Sequence, residues 1–254
     1  MKYRRIHFIG IGGSGMSPLA KIMLESGCKV SGSDIKSSDK TKKLSAMGAR
    51  IFIGHKAGNI IDGTELVVAS SAIDKDNPEL LTAYEKKIPV LTRAEFLGEL
   101  MKEYISIGIS GAHGKTTTTA MISLIFYENN YDPTIAIGGE LPILNGSGRL
   151  GKSNFLIAEA DEAYGSFLHF YPKIAVVTNI DDDHLDYYGN LEAIINAFQT
   201  YLSHLPSDGM AVLCYDNIYV REIIPRVKAR VITYGLNENA ACRALNIASR
   251  EFGS

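Results

Sequence analysis

Short apolar runs alternate with segments of helical period along most of the chain. Ten of the runs predict β-strands: Ile6–Ile11, Val30–Ser33, Arg50–Ile53, Leu66–Ser70 and Val90–Thr92, then Ile105–Ser110, Phe155–Glu159, Ile174–Asn179, Met210–Cys214 and Val231–Tyr234. Strands that alternate with helices are typical of a mostly parallel sheet covered by helices. We therefore expect an α/β fold.

Two helices are predicted most clearly by apolar residues at helical spacing. The two apolar stripes are Met16, Leu19, Ala20 and Met23, and Leu191, Ile194, Ile195 and Phe198. Such stripes usually face a core, and we do not assign them to a cofactor site. The segment from Gly138 to Gly151, with five glycines and Pro142, predicts either a loop or a glycine-broken strand pair.

The two series of strands suggest two domains. Each series opens with a strand, a glycine-rich turn and a helix, and 254 residues are enough for two ordinary cores. We divide the chain near Lys102, into residues 1–102 and an incomplete second domain of residues 103–254.

Composition narrows the function classes. The net charge of -2, from 26 basic and 28 acidic residues, provides no broad positive field for nucleic acid. Cys28, Cys214 and Cys242 form no CxxC pair, which favours reduced thiols over a disulfide framework or a zinc site. Without an apolar stretch of about 20 residues, no membrane insertion is expected. These features predict a cytoplasmic protein and leave its oligomeric state open.

The first glycine-rich turn, Gly10-Ile11-Gly12-Gly13-Ser14-Gly15, fits the GxGxxG pattern between a strand and a helix. Glycines let a backbone approach a diphosphate closely, and the N–H groups of the following helix then face the anion. We therefore predict a diphosphate site, although a tight turn without a ligand is the alternative. Asp34, at the end of the next strand, would bind a ribose hydroxyl or simply begin a turn.

The second glycine-rich turn is a shorter phosphate-binding loop. Its residues are Gly111, Ala112, His113, Gly114, Lys115, Thr116 and Thr117. In such a loop the amides surround a β-phosphate, the lysine contacts the β and γ oxygens, and the threonine hydroxyl binds Mg²⁺. Ile109 stands where the common GxxxxGK[ST] pattern has its first glycine. A functional and a merely tolerated role for His113 are equally open.

Acidic residues after two later strands are the candidate metal ligands. Glu159 ends a predicted strand and is the first choice, with Asp161 and Glu162 as alternatives. His184 lies in an acidic stretch after the next strand. Ligand sites collect at the carboxyl ends of strands in open α/β sheets, so we favour His184 as a metal or phosphate neighbour over a purely structural histidine.

Five motifs in this order resemble the Mur ligase family over nearly the whole chain. They are Gly10–Met16 (GIGGSGM), Ser70–Ile73 (SSAI), Gly111–Thr119 (GAHGKTTTT), Glu159–Glu162 (EADE) and Thr178–Asp186 (TNIDDDHLD). Within the family, the match is closest to the members that add L-alanine. The resemblance implies a Rossmann-like UDP-sugar domain followed by a P-loop ATPase-like domain.

The resemblance also implies an activity, the ATP-dependent ligation of L-alanine to the carboxylate of UDP-N-acetylmuramate through an acyl phosphate. Lys115, Thr116 and Glu159 would handle the triphosphate and Mg²⁺, with His184 at a second metal position. The UDP-sugar would be held by Gly12, Gly13, Ser14 and Gly15, with Asp34, Ser70 and Ser71 beside them. ATP and Mg²⁺ are therefore the expected cofactors.

The chain also departs from the family pattern. Ala112 replaces a common threonine, and Ala163-Tyr164-Gly165 replaces a polar pair after the EADE motif. Family members have a third, amino-acid-binding domain that is missing here, so we expect a truncated chain that is inactive alone.

Three other functions remain as alternatives. An NAD-dependent oxidoreductase would explain Gly10–Gly15 and Asp34 but not the second loop. A non-catalytic module that binds nucleotide and UDP-sugar would use both loops. A generic P-loop ATPase would leave the first domain unexplained.

Overall fold

In a computed structural model of the chain, residues 2–141 and 146–247 are described, and they form two β-sheets with helices packed on them. The helices are α1 (Met16–Glu25), α2 (Asp39–Ala46), α3 (Pro78–Glu85), α4 (Arg93–Met101), α5 (Lys115–Glu128), α6 (Leu185–Tyr188), α7 (Leu191–Ser203) and α8 (Ile218–Ile223). The predicted α/β fold is confirmed.

The first sheet contains β1 (Arg5–Ile9), β2 (Lys29–Asp34), β3 (Arg50–Ile53), β4 (Leu66–Ala69) and β5 (Val90–Thr92). Their order is β3-β2-β1-β4-β5, and all pairs are parallel. The strand order reverses at β1, which pairs with β2 on one side and β4 on the other. Ligands of open α/β sheets bind at such a switch point, outside the carboxyl ends of the strands. The first glycine loop begins there.

The second sheet is larger and mixed. Its strands are β6 (Ile105–Ser110), β7 (Thr134–Leu141), β8 (Gly146–Arg149), β9 (Phe155–Glu159), β10 (Ile174–Val177), β11 (Met210–Cys214), β12 (Arg230–Gly235) and β13 (Cys242–Arg243). The order is β13-β12-β11-β10-β6-β9-β7-β8, and only the β7–β8 pair is antiparallel among these described strands. β6 lies between β9 and β10, so the second glycine loop also begins at a switch point.

The sequence predicted either a loop or a strand pair for Gly138–Gly151, and a strand pair is observed. This pair extends beyond the predicted segment, because β7 begins at Thr134. Pro142 and residues 143–145 lie outside the described residues. Gly148 of β8 packs directly against Pro18 of α1, where an added Cβ would lie 2.6 Å from the Pro18 Cα. This hairpin therefore rests on the first helix.

One continuous apolar cluster contains side chains from both sheets and their helices. Phe8 and Phe96 meet edge to face at 5.8 Å in the first part, and Phe167 stacks on Tyr201 at 5.0 Å in the second. Most of the two predicted apolar stripes belongs to this cluster, and partly buried Ile195 packs against it. Leu191, which is partly exposed, lies outside the cluster. The division predicted near Lys102 falls between α4 and β6, and as a domain boundary it stays a prediction.

Hydrogen bonds of a capping box fix the start of α4. Thr92 and Glu95 form a capping box, in which Thr92 Oγ1 accepts from Glu95 N at 3.2 Å and Glu95 Oε2 accepts from Thr92 N at 2.7 Å. This box places Arg93 in the first turn of α4.

In the described part of the chain, no helix is long and apolar enough to cross a bilayer.

Candidate active site

The last residues of β2 accept hydrogen bonds from the first glycine loop. Gly10 N and Ile11 N donate to Ser33 O at 2.8 and 3.0 Å, and Gly12 N donates to Asp34 Oδ2 at 2.8 Å. Asp34 therefore contacts the loop backbone directly. Its predicted contact with a ribose hydroxyl stays a prediction.

The outer part of this loop is open to a ligand. Gly13 and Ser14 are exposed, and α1 begins at Met16 with no acidic residue in its first turn. The positive end of the helix dipole is therefore uncompensated by a carboxylate of its own turn, which favours an anion. Arg93 adds a positive charge here, since a Cβ built on Gly15 would lie 3.1 Å from Arg93 Nη1.

The second loop has the backbone of a compact phosphate cradle. Gly111 has φ +140° and lies against the Thr178 hydroxyl, so a side chain here would be strained and would also collide. Gly114 has φ +80° and caps α5, the helix that Lys115 begins. Both glycines are required by backbone geometry, because other residues rarely adopt these conformations.

The two residues that follow β10 fix the middle of the second loop. Thr178 Oγ1 and Asn179 Nδ2 donate to His113 O at 2.7 and 2.9 Å, and His113 N donates to Asn179 Oδ1 at 2.8 Å. The His113 ring is mostly exposed, and its Nε2 lies 3.5 Å from Asp181 Oδ2. Its backbone thus has a clear structural role, and the role of its ring stays open.

Lys115 joins the second loop to the EADE segment. Its Nζ donates to Gly111 O and Glu162 Oε1, both at 2.8 Å, and lies 3.3 Å from Ala112 O. The Glu162 side chain is only 2% exposed. Burial raises the pKa of Glu162, and the hydrogen bond and charge of Lys115 oppose that rise. A buried carboxylate and a partly buried ammonium thus meet beside the loop.

His184 completes a cluster of possible metal ligands around the same carboxylate. Its Nε2 lies 3.8 Å from Glu162 Oε1 and 3.9 Å from Asp183 Oδ2. Ligand atoms of Glu162, Asp183 and His184 all lie within 4.8 Å of one another. Tyr188 anchors the backbone of this cluster by donating its hydroxyl to Glu162 O at 2.6 Å.

Glu159, the first choice from the sequence, occupies a different position. Its Oε2 lies 2.7 Å from a Cβ built on Gly138 in β7, and its Oε1 is buried without a hydrogen-bond partner among the described residues. Thr116 approaches the next glycine of the same strand, Gly139. Lys115 and His184 therefore contact Glu162 rather than Glu159. The predicted binding of metal by Thr116 and Glu159 stays a prediction.

A cleft of about 310 Å³ connects the two halves of the site. Of the residues predicted from the sequence, it is lined by Gly13, Ser14, Gly15, Ser70, Ser71 and Glu159, and by Asp161, which was an alternative to Glu159. Gly12 and Asp34 do not line the cleft and are hydrogen-bonded to each other behind it. Thr116 and Thr117 are exposed in the first turn of α5. The cleft thus places the predicted UDP-sugar residues opposite an acid from the second sheet.

The sequence interpretation missed Arg93 and named Tyr164 only as part of a departure from the family pattern. Both line the cleft, and Tyr164 is 65% exposed with a left-handed backbone at φ 53°. The Tyr164 ring lies 6.5 Å from the His184 ring. Two sequence signals could have identified Arg93. It directly follows a predicted strand of the first series, and the Thr92–Glu95 capping pattern starts a helix there. The conformation of Tyr164 has no signal in the sequence.

Comparison with known proteins assigns both halves of the chain. A family model described as Mur ligase family, catalytic domain, matches residues 5–105, and the Mur ligase middle domain matches residues 109–254. A protein from Geobacter sp. (strain M21), named UDP-N-acetylmuramate–L-alanine ligase, is 49% identical over 253 residues, which are 100% of this chain and 55% of that protein. The chain spans about half the length of the curated relatives it matches.

Two solved structures are similar to the fold. UDP-N-acetylmuramate–alanine ligase from Thermotoga maritima matches with TM-score 0.80 and 31% identity, over 92% of this chain and 53% of that one. UDP-N-acetylmuramate:L-alanyl-γ-D-glutamyl-meso-diaminopimelate ligase from Neisseria meningitides matches with TM-score 0.83 and 27% identity, over 92% of this chain and 78% of that one.

Proposed function

The chain belongs to the Mur ligase family, and we propose that it provides the UDP-N-acetylmuramate and ATP sites of an enzyme that joins L-alanine to the sugar's carboxylate. The observation that carries the proposal is the cleft shared by Gly13, Ser14 and Gly15 of the first loop and Glu159 of the second sheet. The choice of L-alanine is supported by relatives near 50% identity that are named for that reaction.

The chemistry explains why two phosphate sites are needed. A carboxylate and an amine do not condense readily in water, so the carboxylate must first be activated. Transfer of the γ-phosphoryl group breaks its bond to ADP and forms an acyl phosphate. The amine of L-alanine then attacks the acyl carbon, a C–N bond forms, phosphate leaves and the amine releases a proton. Catalysis of this kind depends mainly on positioning and charge neutralisation.

The residues of the second loop would bind the ATP phosphates. The loop amides from Gly111 to Thr117 would surround the β-phosphate, and Lys115 would exchange its contacts with the loop carbonyls for phosphate oxygens. Glu162 lies within 2.8 Å of the Lys115 ammonium and keeps it at the mouth of the loop. Lys115 would thus neutralise the charge that develops during transfer.

The acidic residues near the loop fit a magnesium ion. Glu162 Oε2 and Glu159 Oε1 are both buried without a hydrogen-bond partner among the described residues, and Mg²⁺ prefers such carboxylate oxygens. We place Glu162, Asp183 and His184 around one ion, and keep Thr116 and Glu159 as a second candidate pair. When bound, the ion supplies positive charge to the phosphate oxygens.

The first loop would hold the diphosphate of the UDP-sugar. Gly12 N and Gly13 N already donate to Asp34 Oδ2 and Gly10 O, so the backbone of these two glycines would lie against the diphosphate. The Gly15 amide and the Ser14 hydroxyl at the start of α1 would donate to it, and Arg93 supplies a positive charge beside them. Ser70 and Ser71 line the same cleft towards the uridine end. This arrangement directs the sugar carboxylate towards the second sheet.

Binding to the chain itself tests this proposal. Titration calorimetry with UDP-N-acetylmuramate, with Mg-ATP and with NAD is expected to show binding of the first two ligands only. Lys115→Ala is expected to abolish Mg-ATP binding and to leave UDP-N-acetylmuramate binding unchanged, because the two loops belong to different sheets. NAD binding without any response to ATP would instead favour an oxidoreductase, and loss of both ligands in Lys115→Ala would contradict two separate sites.

A further inference from the structure

A buried polar cluster lies directly behind the first glycine loop, and none of the proposed chemistry uses it. It consists of Glu79, His7, Ser33, His55 and Asn59, and we call it the Glu79 cluster. His7, Ser33 and Glu79 are all fully buried. They come from β1, β2 and α3, so three elements of the first sheet meet here.

The carboxylate of Glu79 is surrounded by donors. Ser33 Oγ donates to Glu79 Oε2 at 2.5 Å, and His7 Nε2 lies 3.5 Å from the same oxygen. Asn59 Nδ2 donates to Oε1, and Lys56 N donates to it at 3.4 Å. A buried carboxylate with several donors holds each of them in place more firmly than a neutral acceptor does.

Ser33 connects this cluster to the diphosphate loop. Its side chain donates to Glu79, while its carbonyl oxygen accepts from Gly10 N and Ile11 N at 2.8 and 3.0 Å. The adjacent Asp34 accepts from Gly12 N at 2.8 Å. Three successive amides of the loop are therefore attached to two residues at the end of β2, and the first of these two is fixed by Glu79.

We propose that Glu79 is a positioning residue for the UDP-sugar, which acts through Ser33 to hold the first glycine loop in the conformation that receives the diphosphate. This inference rests on the proposed function. Glu79 does not contact the ligand, since Ser33 and the loop lie between them.

The physical basis is preorganisation. A loop that contains Gly12, Gly13 and Gly15 has many conformations available, and ordering them at the moment of binding weakens affinity. Hydrogen bonds from amides to an anion also lose strength when the angle or distance departs from its narrow optimum. A loop fixed in advance by Ser33 and Asp34 avoids both losses.

A pair of serine variants tests the proposal. Ser33→Ala removes the hydroxyl that contacts Glu79 and leaves the Ser33 carbonyl intact. Ser31→Ala is the matched control, because Ser31 is buried on the same strand and bonds His7 Nδ1 at 2.9 Å but does not contact the loop. Glu79→Gln is a third variant, which replaces the charged acceptor with a neutral one of the same size.

The readout is the affinity of the chain for UDP-N-acetylmuramate and for Mg-ATP, measured by titration calorimetry. Ser33→Ala and Glu79→Gln are expected to weaken UDP-N-acetylmuramate binding about tenfold, as for a lost hydrogen bond to a charged group, and to leave Mg-ATP affinity unchanged. Ser31→Ala is expected to keep both affinities. In Ser33→Ala, hydrogen exchange at the Gly12 amide is expected to be faster than in the wild type and in Ser31→Ala.

The outcomes separate this inference from the function on which it rests. If the wild-type chain binds UDP-N-acetylmuramate and Ser33→Ala binds it equally well, Glu79 has no positioning role and the proposed function stands. Equal weakening by Ser31→Ala and Ser33→Ala would reduce the effect to general stability and overturn the inference. Failure of the wild-type chain to bind the UDP-sugar would overturn the proposed function and the inference together.

Discussion

Two carboxylates suited to bind a cation, Glu159 at the end of β9 and Glu162 shortly after it, differ in their surroundings. Glu162 contacts Lys115 and lies near Asp183 and His184, whereas Glu159 faces the cleft beside Gly138. Sequence alone could rank these acids only by their distance from the strand end. The choice depends on where the chain turns after Glu159, which is set by burial of Phe167 and Phe170 in the core.

The difference predicts unequal effects of two substitutions. Glu162→Gln is expected to weaken Mg²⁺-dependent ATP binding about tenfold or more, because the buried ligand loses its charge. Glu159→Gln serves as the matched variant and is expected to have a smaller effect. ATP affinity is measured by calorimetry with Mg²⁺ and with excess EDTA. A loss of the Mg²⁺ dependence in Glu159→Gln alone would support the ranking that the sequence suggested.

Arg93 is expected to contact the diphosphate because of its position beside the first glycine loop. Its guanidinium lies beside Gly15, at the start of the helix that would receive the diphosphate. Arg93→Ala is expected to weaken UDP-N-acetylmuramate binding about tenfold, with the loss decreasing at high salt, because a charge contact to phosphate is removed. Arg50→Ala, which changes an exposed arginine on β3, is the control. Equal affinity of Arg93→Ala and the wild type would exclude this contact.

At the scale of elements, the strands were the most predictable part of the fold. Several predicted bounds match the structure residue for residue, among them Ile105–Ser110 and Phe155–Glu159. The reason is physical, because a parallel strand buried on both faces is apolar along most of its length. The β7–β8 pair was only one of two alternatives, since its glycines remove the side-chain alternation that identifies a strand. β13, with two residues, was not predicted.

The strand-loop-helix element around Gly10–Gly15 has a further testable property. Gly13→Val is expected to abolish UDP-N-acetylmuramate binding and to spare Mg-ATP, because a branched side chain would occupy the surface that the diphosphate approaches. An added Cβ at Gly13 already lies 3.3 Å from Gly10 O. Gly58→Val is the control, since a Cβ there meets nothing within 4 Å. Both affinities are measured by calorimetry, and normal UDP-sugar binding by Gly13→Val would rule out this loop as the diphosphate site.

At the scale of the whole molecule, the cleft forms because the two sheets are packed together. Gly98 of α4 packs directly against His169 O, and Gly148 of β8 against Pro18 of α1, so the sheets approach each other on both sides of the cleft. The sequence predicted both glycine loops and their chemistry separately. It could not predict that Arg93, Ser14 and Glu159 line one cavity, because that proximity comes from contacts between residues far apart in the chain.

The stability of the molecule is expected to depend on pH through Glu79. Burial alone would raise the pKa of Glu79, but hydrogen bonds from His7, Ser33 and Asn59 outweigh it and lower the pKa from 4.5 to about 2. The folded state therefore favours the ionised form more than the unfolded state does. The resulting stability is complete above pH 4.5, decreases as the pH falls, and is lost below pH 2.

The gap between these two pKa values corresponds to about 3 kcal/mol of the free energy of unfolding. Glu79→Gln removes this contribution, so the variant is expected to be less stable than the wild type at pH 6 and to approach it as the pH is lowered towards 2. Urea unfolding of both proteins at several pH values measures the difference. Glu85→Gln, at the exposed end of α3, is the control and should follow the wild type. A stability difference that stays constant from pH 6 to pH 3 would show that folding does not lower the pKa of Glu79.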